Sequence, residues 1–274
     1  MCLIVFDWRP HATAGSTLFT LAANRDEFLR RPAEPLHWWD DDPNVLAGRD
    51  LVGGGTWLGV ARDGRFAALT NYRAPHEMRA DAPTRGTLVS RWLRDAANAH
   101  ATPLAYLHEV ARQGDLYNGF NLLVGDLKRR ELAWYCNRAD TPPSLLPEGT
   151  HGISNAVLDT PWPKLVRKRG ELAQLVAEGP EVPLERLVAM MRDPQQARDG
   201  DLPATGISLE RERVLSAAFI ETPDYGTRGT TAIHVGVHGD GALDVAVLER
   251  SDDNGSHRIV RPGDFERHER FCVV

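Results

Sequence analysis

The 274-residue chain has few cysteines, few lysines and no long apolar run. Cys2, Cys136 and Cys272 are an odd number without CxxC spacing, which argues against a disulfide framework and against a structural zinc site. We therefore expect reduced thiols and a cytoplasmic location. No apolar stretch approaches the roughly 20 residues of a membrane-spanning helix. The apolar start at 3–6 is too short for a signal peptide, because Asp7 follows it.

The sequence also lacks the common motifs of nucleotide and metal chemistry. It contains no GxGxxG or P-loop pattern, and its ten histidines are scattered without an HExxH spacing. We therefore expect neither a cofactor nor a metal, and we interpret the acidic run at 40–42 as a solvated loop. The net charge of -6 argues against a nucleic-acid partner, because phosphate binding needs a concentrated positive face.

What the chain does have is the composition of a soluble globular protein, 42% hydrophobic and 26% charged. Blocks of strand-like and helix-like segments follow one another without regular βαβ alternation or internal repeats. This order predicts one α+β domain over 1–274, with antiparallel or mixed sheets and helices outside them. The predicted strands are 3–6, 18–23, 66–71, 118–125, 131–136, 230–237, 243–248 and 258–261, and a glycine turn at 53–55 leads into another. The predicted helices contain 88–93, 104–111, 165–176 and 184–191, and 32–43 and 195–203 are predicted to be irregular.

Cys2 is the first candidate for chemistry. Removal of Met1 leaves a thiol and a free α-amine on one residue. The amine has an unperturbed pKa of about 7.7–8.0 and the thiol one of about 8.5, so the amine can accept the thiol proton near neutral pH. The thiolate is the reactive form. The alternative is a Cys2 that is simply buried in the first strand, as Cys136 and Cys272 are predicted to be buried small apolar residues.

A polar cluster, Asn24-Arg25-Asp26-Glu27, follows the second predicted strand. At the end of a strand, side chains can be directed at the tip of the neighbouring strand. Asp26 can then anchor the α-amine, and Arg25 can hold the thiolate or a substrate carboxylate. The alternative is a polar turn with a surface ion pair, which contributes little to stability.

Two asparagines and an arginine lie at strand ends or turns further along the chain. Asn71 and Asn155 carry neutral amide donors, which suit an oxyanion hole because they stabilise developing charge without titrating. Each can instead be a turn-forming asparagine. Arg228 can contact an anionic substrate group or can bond backbone carbonyls, and Trp57 is interpreted as a core or pocket-wall residue.

Nine short motifs together resemble those of the NRDE family, also called the transport and Golgi organisation 2 family. They occur in family order over nearly the whole chain, so the series is far more specific than any one motif. The motifs are 1–2 (MC), 23–28 (ANRDEF), 47–50 (AGRD), 54–59 (GGTWLG), 69–73 (LTNYR), 85–89 (RGTLV), 117–121 (YNGFN), 151–155 (HGISN) and 225–228 (YGTR).

The family is similar in turn to the N-terminal-nucleophile hydrolases, most closely the branch of bile-salt hydrolases and penicillin V acylases. This likeness implies a four-layer αββα sandwich. It also implies catalytic roles: Cys2 resembles the nucleophile of that branch, and Asp26 its carboxylate near the α-amine. Asn71 and Asn155 resemble its asparagines at the oxyanion and the amine, and Arg228 its distal arginine.

The chain departs from that branch at one position. The arginine of the branch lies three residues before the aspartate, where this chain has Ala23, so either Arg25 replaces it or its role is absent. The residues predicted to bind the substrate are Arg25, Asn24, Trp57, Tyr72 and Arg228.

Two classes of function fit these features. The leading hypothesis is a cysteine N-terminal-nucleophile hydrolase or acyltransferase that acts on a linear amide or thioester. The alternative is a non-catalytic binding or carrier protein for a lipid, acyl-CoA or haem-like ligand. In both cases the expected partner is a small molecule.

Overall fold

A computed structural model of the protein describes residues 2–94, 101–251 and 265–274. Within them, the strands are β1 Cys2–Trp8, β2 Thr17–Phe28, β3 Ala33–Trp39, β4 Asp42–Asp50, β5 Leu58–Ala61, β6 Arg65–Asn71, β7 Phe120–Asp126, β8 Glu131–Cys136, β9 Ser144–Leu145, β10 Gly149–Ile153, β11 Tyr225–Val237, β12 Leu243–Ser251 and β13 Phe265–Val273. The helices are α1 Gly86–Arg94, α2 Pro103–Ala111, α3 Pro163–Ala177, α4 Leu184–Met191 and α5 Leu209–Leu215. Short 3-10 helices occur at Pro75–Glu77, Gly114–Leu116 and Asp199–Asp201.

Most of the predicted elements are confirmed, but β2 ends at Phe28 instead of 23 and β11 begins at Tyr225 instead of 230. The prediction that 24–27 follow the second strand is therefore wrong, because these residues lie inside β2. The predicted strands from 3–6 to 243–248 correspond to β1, β2, β6, β7, β8, β11 and β12, and the glycine turn leads into β5. The predicted cap of α2 is also present, because the Thr102 hydroxyl accepts a hydrogen bond of 3.1 Å from the Ala105 backbone N–H. None of the helices in the described residues is long and apolar enough to cross a membrane.

The strands form two antiparallel sheets. The six-stranded sheet has the order β10-β1-β2-β11-β12-β13, and the seven-stranded sheet has the order β3-β4-β5-β6-β7-β8-β9. Long hairpins such as β1–β2 and β11–β12 join sequence neighbours, and β2 also pairs with β11 from the distant C-terminal part of the chain. The prediction of antiparallel sheets is therefore confirmed.

Three apolar cores separate four layers. Phe19 of the six-stranded sheet and Phe66 of the seven-stranded sheet meet in the central core, with ring centroids 5.1 Å apart. A second core packs Trp92 of α1 and its neighbours on the seven-stranded sheet, and a third packs Leu165 of α3 and Leu187 of α4 on the six-stranded sheet. The order helix, sheet, sheet, helix confirms the αββα sandwich.

The alternation of side chains along β1 decides which layer each one enters. Ile4 and Phe6 lie in the central core between the sheets, whereas Leu3 and Val5 lie in the core under α3 and α4. Cys2 has the parity of Ile4 and Phe6. The fold therefore places its side chain on the inter-sheet face, at the first position of a strand that is buried along its whole length.

The segment 32–43 was predicted to be irregular, and this is wrong. It contains β3 and the start of β4, which form one edge of the seven-stranded sheet. Pro35 and two register irregularities in the β3–β4 ladder interrupt the apolar alternation that marks a strand. An edge strand tolerates a proline because one side of its backbone needs no ladder partner.

The prediction that Cys272 is buried is also wrong. Cys272 is exposed, while Cys136 is buried as predicted. Along β13, Phe271 and Val273 point into the central core, so the residue between them points outwards. The predicted strand at 258–261 lies outside the described residues.

Candidate functional site

Two neighbouring strands bring polar residues to the start of β1. In the antiparallel ladder, Cys2 is the direct partner of Arg25 on β2. On the other side of β1, the ladder with β10 ends at the pair of Ile4 and Ile153, and the chain continues from there through Ser154 to Asn155. The Ser154 hydroxyl donates a hydrogen bond of 3.4 Å to the Cys2 backbone carbonyl, so the residue before Asn155 contacts Cys2. Cys2 thus lies opposite Arg25 and in contact with the residue that precedes Asn155.

The two predicted asparagines meet at the junction of the two sheets. The Asn155 amide donates a hydrogen bond of 2.9 Å to the backbone carbonyl of Asn71, the last residue of β6. The Arg73 backbone N–H returns a bond of 2.7 Å to the Asn155 backbone carbonyl. Asn155 is buried, whereas Asn71 is half-buried and lines the cavity described below. Residues separated by 84 positions in the chain therefore form one polar junction beside Cys2.

Asp26 is buried next to Cys2. Its carboxylate accepts a hydrogen bond of 2.7 Å from the Thr227 hydroxyl, and its backbone carbonyl accepts one of 3.0 Å from the Tyr225 hydroxyl. Burial raises the pKa of the Asp26 carboxyl, and the nearby Lys164 ammonium opposes that rise. Asp26 is therefore held in place by residues of β11, and the ammonium of Lys164 in α3 acts on its charge.

The surroundings of the Cys2 thiol act on its pKa in both directions. Burial raises the pKa, and the negative charge of Asp26 adds to the rise. A hydrogen bond from the Asp26 backbone N–H and the positive charge of Arg25 lower it. A buried thiol of this kind needs a base to become a nucleophile.

A large cavity opens next to this strand end, with a volume of about 700 Å³. Asn71, Tyr72 and Arg85 form part of its wall on the side of the seven-stranded sheet, and Tyr225 and Val214 form part of the opposite wall. A volume of this size is typical of small-molecule sites, for which about 300–1,000 Å³ is usual. Cys2 is not one of the described residues that line this cavity, and only 7% of its surface is exposed.

Cys2 is nevertheless linked to this cavity by charge. The Arg85 guanidinium has a pKa lowered by its burial, and the charge of Cys2 opposes that effect. Burial likewise raises the pKa of Tyr225, and the charges of Asp26 and Cys2 add to the rise. Arg85 and Tyr225 are therefore two cavity residues that lie within electrostatic range of the thiol.

Three predicted substrate-binding residues lie at a second, much smaller cavity. Arg25, Trp57 and Arg228 line it, and its volume is about 30 Å³, enough for roughly one or two water molecules. The Arg228 guanidinium donates to the backbone carbonyls of Phe28 at 3.2 Å and Arg31 at 2.7 Å. Of its two interpretations, the structure thus supports the one in which Arg228 bonds backbone carbonyls.

Asn24 is not brought to either cavity. It is fully buried, and its amide donates to the backbone carbonyls of Met191 at 2.9 Å and Ala218 at 2.7 Å. Its oxygen accepts a bond of 2.7 Å from the Thr230 hydroxyl. Asn24 is the neighbour of Arg25 along β2, so its side chain lies on the opposite face of the strand. There it joins the sheet to the end of α4.

Several residues of the site were not singled out from the sequence. Arg73, Arg85 and Tyr225 lie inside the quoted motifs LTNYR, RGTLV and YGTR, so the motifs contained the signal although no role was assigned to these positions. Lys164 lies in none of the motifs, and a lone lysine in a helix carries no sequence signal of its own. In the described parts of the chain, no group of three or more His, Cys, Asp or Glu residues is arranged to hold a metal ion.

The charge link between Arg85 and Cys2 gives a testable result. Replacing Arg85 with methionine is expected to slow alkylation of Cys2 by iodoacetamide at pH 7 about three- to tenfold, because a lost cation within electrostatic range raises a thiol pKa by roughly half to one unit. The rate is read by mass spectrometry of the Cys2 peptide. Arg211→Met is the matched control, since Arg211 also lines the large cavity and is exposed. Equal rates in the two variants would contradict the link.

Comparison with known proteins places the chain in a family. The family model described as Transport and Golgi organisation 2 matches residues 1–252. The Bos taurus protein named "Transport and Golgi organization protein 2 homolog" is 38% identical over 265 residues, covering 92% of this chain and 93% of that protein. The Homo sapiens protein of the same name is 34% identical over 281 residues, covering 97% of this chain and 99% of that protein.

A solved structure was also matched, that of the Caenorhabditis elegans N-acylethanolamine-hydrolyzing acid amidase ortholog. The match has a TM-score of 0.47 and 9% identity, and covers 85% of this chain and 92% of the other. A likeness this distant carries no argument about the reaction. The family model and the two relatives do decide the family: the chain belongs to the Transport and Golgi organisation 2 family.

Proposed function

We propose that the protein is a cysteine N-terminal-nucleophile hydrolase or acyltransferase that acts on a linear amide or thioester. One observation carries the proposal. Cys2 lies at a strand end opposite Arg25 and in contact with Ser154, next to a polar junction of Asn71 and Asn155 whose Asn71 lines a cavity of about 700 Å³. A thiol, amide donors and a ligand-sized space are the parts that acyl transfer needs.

In the proposed reaction, removal of Met1 frees the α-amine of Cys2. The amine accepts the thiol proton, and the thiolate attacks the substrate carbonyl carbon. The carbonyl oxygen becomes an oxyanion, which amide N–H groups of Asn71 and Asn155 stabilise; one N–H of Asn155 is already bonded to Asn71, so the other is the donor. The C–N or C–S bond then breaks, the leaving group takes the proton from the amine, and water or another acceptor removes the acyl group from sulfur.

Asp26 and Arg25 have supporting roles in this proposal. Asp26 holds the α-amine. Arg25 takes over the role of the arginine that the hydrolase branch has at the position of Ala23. Two observations support the second role: Arg25 is the cross-strand partner of Cys2, and its charge lowers the pKa of the Cys2 thiol. Tyr72 contributes to the substrate-binding wall of the large cavity.

Substitution of Cys2 tests the proposal. The protein is incubated with an acyl thioester, an N-acyl amide and penicillin V, and product and acyl-protein adducts are measured by mass spectrometry. Cys2→Ser is expected to reduce turnover at least about 100-fold and to abolish the thioester adduct, because an alcohol beside the same base is a far weaker nucleophile. Cys272→Ser, an exposed thiol on the distant β13, is the control and should leave turnover unchanged.

Intact-mass measurement of the same samples decides whether the amine is free. A mass that includes Met1 in protein that still turns over substrate would exclude the α-amine as the base. Turnover that survives Cys2→Ser would exclude the sulfur as the nucleophile.

A second candidate function is a non-catalytic carrier for a lipid, acyl-CoA or haem-like ligand. The observation that favours it is the cavity itself, which combines apolar side chains such as Phe28 and Met78 with arginines such as Arg73 and Arg85, while Cys2 is not part of its described wall. A carrier is expected to bind fluorescent acyl probes equally well in the wild type and in Cys2→Ser, with no covalent adduct in either.

A cytoplasmic location also stays a prediction, which rests on three free cysteines.

A further inference from the structure

The loop that carries Asn155 is closed on itself by one residue, Asp159. The Asp159 backbone N–H donates a hydrogen bond of 2.8 Å to the Gly152 backbone carbonyl, and the Gly152 backbone N–H donates one of 2.8 Å to the Asp159 carboxylate. Gly152 belongs to β10, which is the edge strand of the six-stranded sheet in the described part of the chain. Asp159 therefore satisfies backbone groups at this edge and holds residues 153–158 as a closed loop.

Two further groups hold the Asp159 carboxylate. His151 Nδ1 lies 2.8 Å from one carboxylate oxygen, and the Arg169 guanidinium of α3 donates a bond of 3.0 Å to the other. The backbone of Asp159 has a φ of 57°, in the left-handed region that residues other than glycine rarely adopt. The contacts of the carboxylate with Gly152, His151 and Arg169 thus keep Asp159 in a conformation that costs backbone energy.

The surroundings of His151 decide its protonation. Its Nδ1 faces the ionised Asp159 carboxylate, and its Nε2 lies 3.2 Å from the Pro147 backbone carbonyl oxygen. Both partners only accept hydrogen bonds, so both bonds form only when His151 is an imidazolium with a proton on each nitrogen. The bond to Asp159 raises the pKa of His151, although burial and the positive charge of Arg169 oppose the rise. On β1, the neighbour of His151 is the uncharged ring of Phe6, 5.6 Å away between centroids.

The middle of the closed loop reaches the Cys2 site. The Ser154 hydroxyl donates to the Cys2 backbone carbonyl at 3.4 Å, and the Asn155 amide donates to the Asn71 backbone carbonyl at 2.9 Å. One end of the loop continues β10, and the other end is held by the Asp159 contacts. These contacts therefore fix the span from which Asn155 reaches Asn71.

We propose that Asp159 and protonated His151 are positioning residues of the Cys2 site, which close the loop 152–159 and thereby hold the Asn155 amide at Asn71. The inference deepens the proposed function and rests on it for the role of Asn155 as an oxyanion donor. It gives a role to the histidine of the HGISN motif and to an aspartate outside the nine motifs. An oxyanion donor acts only at the correct distance, and a displacement of about 1 Å can reduce a rate roughly 100-fold.

Asp159→Gly is the first test, because glycine accepts a positive φ without strain and the variant therefore loses only the carboxylate. Hydrogen exchange is measured by NMR at the Gly152 amide and at the Arg73 amide, which donates to the Asn155 carbonyl at 2.7 Å. Both amides are expected to exchange at least about tenfold faster than in the wild type. Asp159→Asn keeps an acceptor oxygen for Gly152 and should restore most of the protection.

The Arg73 amide distinguishes positioning from a purely local role. Faster exchange at Gly152 with unchanged exchange at Arg73 would overturn the proposal, because Asn155 would then keep its place without the carboxylate. Asp41→Gly is the control. It removes an exposed carboxylate that is bonded to Arg49 at 2.7 Å in the turn between β3 and β4, and it should leave both amides unchanged.

The pH dependence of the wild type is the second test. The folded-state pKa of His151 lies above its ordinary value of about 6.5, so the pair stabilises the loop fully below about pH 6.5 and less as pH rises through the folded value. Exchange of the Arg73 amide, corrected for its intrinsic pH dependence, should rise through the midpoint that ¹⁵N NMR gives for the His151 ring. His151→Gln should remove this step, and His268→Gln, at an exposed histidine bonded to Glu266, should keep it. A His151 midpoint at or below about 6.5, or a step that survives His151→Gln, would overturn the proposal.

Turnover separates the inference from the proposed function. With an acyl substrate that the wild type turns over, Asp159→Gly is expected to lower kcat about tenfold and to change KM less than about twofold, since the displaced donor acts in the transition state. An unchanged kcat despite faster Arg73 exchange would overturn the catalytic part of the inference and leave the hydrolase standing. Faster exchange in a protein without any turnover would support the positioning of Asn155 and contradict only the proposed function.

Discussion

Glu212→Ala is expected to lower the free energy of unfolding by about 3–5 kcal/mol, the usual cost of removing one partner of a buried ion pair. The Arg73 and Glu212 side chains are 6% and 4% exposed and meet at 2.7 Å. Glu212 also accepts hydrogen bonds from the Thr205 backbone N–H at 3.0 Å and from the Thr205 hydroxyl. Removal of the carboxylate therefore leaves the half-buried Thr205 groups without this acceptor. It also leaves the Arg73 guanidinium, whose pKa is already lowered by burial, without this counter-charge.

The same helix supplies a matched control. Arg213, the next residue of α5, pairs with Asp199 at 2.6 Å, but both side chains are exposed, by 44% and 53%. Arg213→Ala should leave stability almost unchanged, because exposed pairs are screened by water and salt. Urea unfolding of the two variants measures the contrast. Equal losses would mean that burial does not decide the strength of the Arg73–Glu212 pair.

This pair also matters for the cavity. Arg73 and the α5 residues Val214 and Leu215 belong to its wall, and the Arg73–Glu212 contact holds the α5 wall against the segment after β6. In Glu212→Ala protein that remains folded, we therefore expect the α5 wall to loosen and acyl probes to bind more weakly. Hydrogen exchange of the α5 amides reports that loosening directly.

The sequence predicted the strands that build the site better than the faces on which its residues lie. The apolar runs at 3–6 and 18–23 predicted β1 and β2, and the polar cluster after the second run was expected to reach the tip of the first strand. The register places Arg25 opposite Cys2, although the cluster lies inside β2 and not after it. Strand parity then separates the cluster, since Arg25 lies on the face of Cys2 whereas Asn24 is bonded to the helical layer.

Contacts over long sequence distances could not be predicted. The pairing of Arg73 with Glu212 spans 139 positions, and the second residue lies in α5, a helix that was not predicted although Ser208 caps it through the Arg211 backbone N–H. Strand β10 was missed for a related reason. Its sequence, GTHGI, contains two glycines and a single large apolar residue, and its strand character comes from pairing with β1.

Glycines in two of the motifs have a role that only the fold reveals. Gly55 of GGTWLG and Gly86 of RGTLV come from different segments, and a Cβ added to Gly55 would lie 2.5 Å from the Gly86 carbonyl oxygen and 2.8 Å from the Thr87 nitrogen. The Thr56 backbone N–H donates to that same Gly86 carbonyl at 3.3 Å. The lack of a side chain therefore sets the distance between the loop before β5 and the first turn of α1, and with it the position of Arg85.

Gly55→Ala is accordingly expected to cost about 3 kcal/mol or more of stability, because both clashing partners are backbone atoms that cannot rotate away. Gly170→Ala is the control: Gly170 lies on the exposed side of α3 with no atom within 4 Å of an added Cβ, so alanine should raise stability by up to about 1 kcal/mol through helix propensity. Thermal and urea unfolding measure both. Gly55→Ala should also change the rate of Cys2 alkylation, because a displaced α1 start moves the Arg85 charge relative to the thiol. A variant that is as stable as the wild type and has unchanged Cys2 labelling would show that the two segments can separate without cost, and that Arg85 is not held in place by this contact.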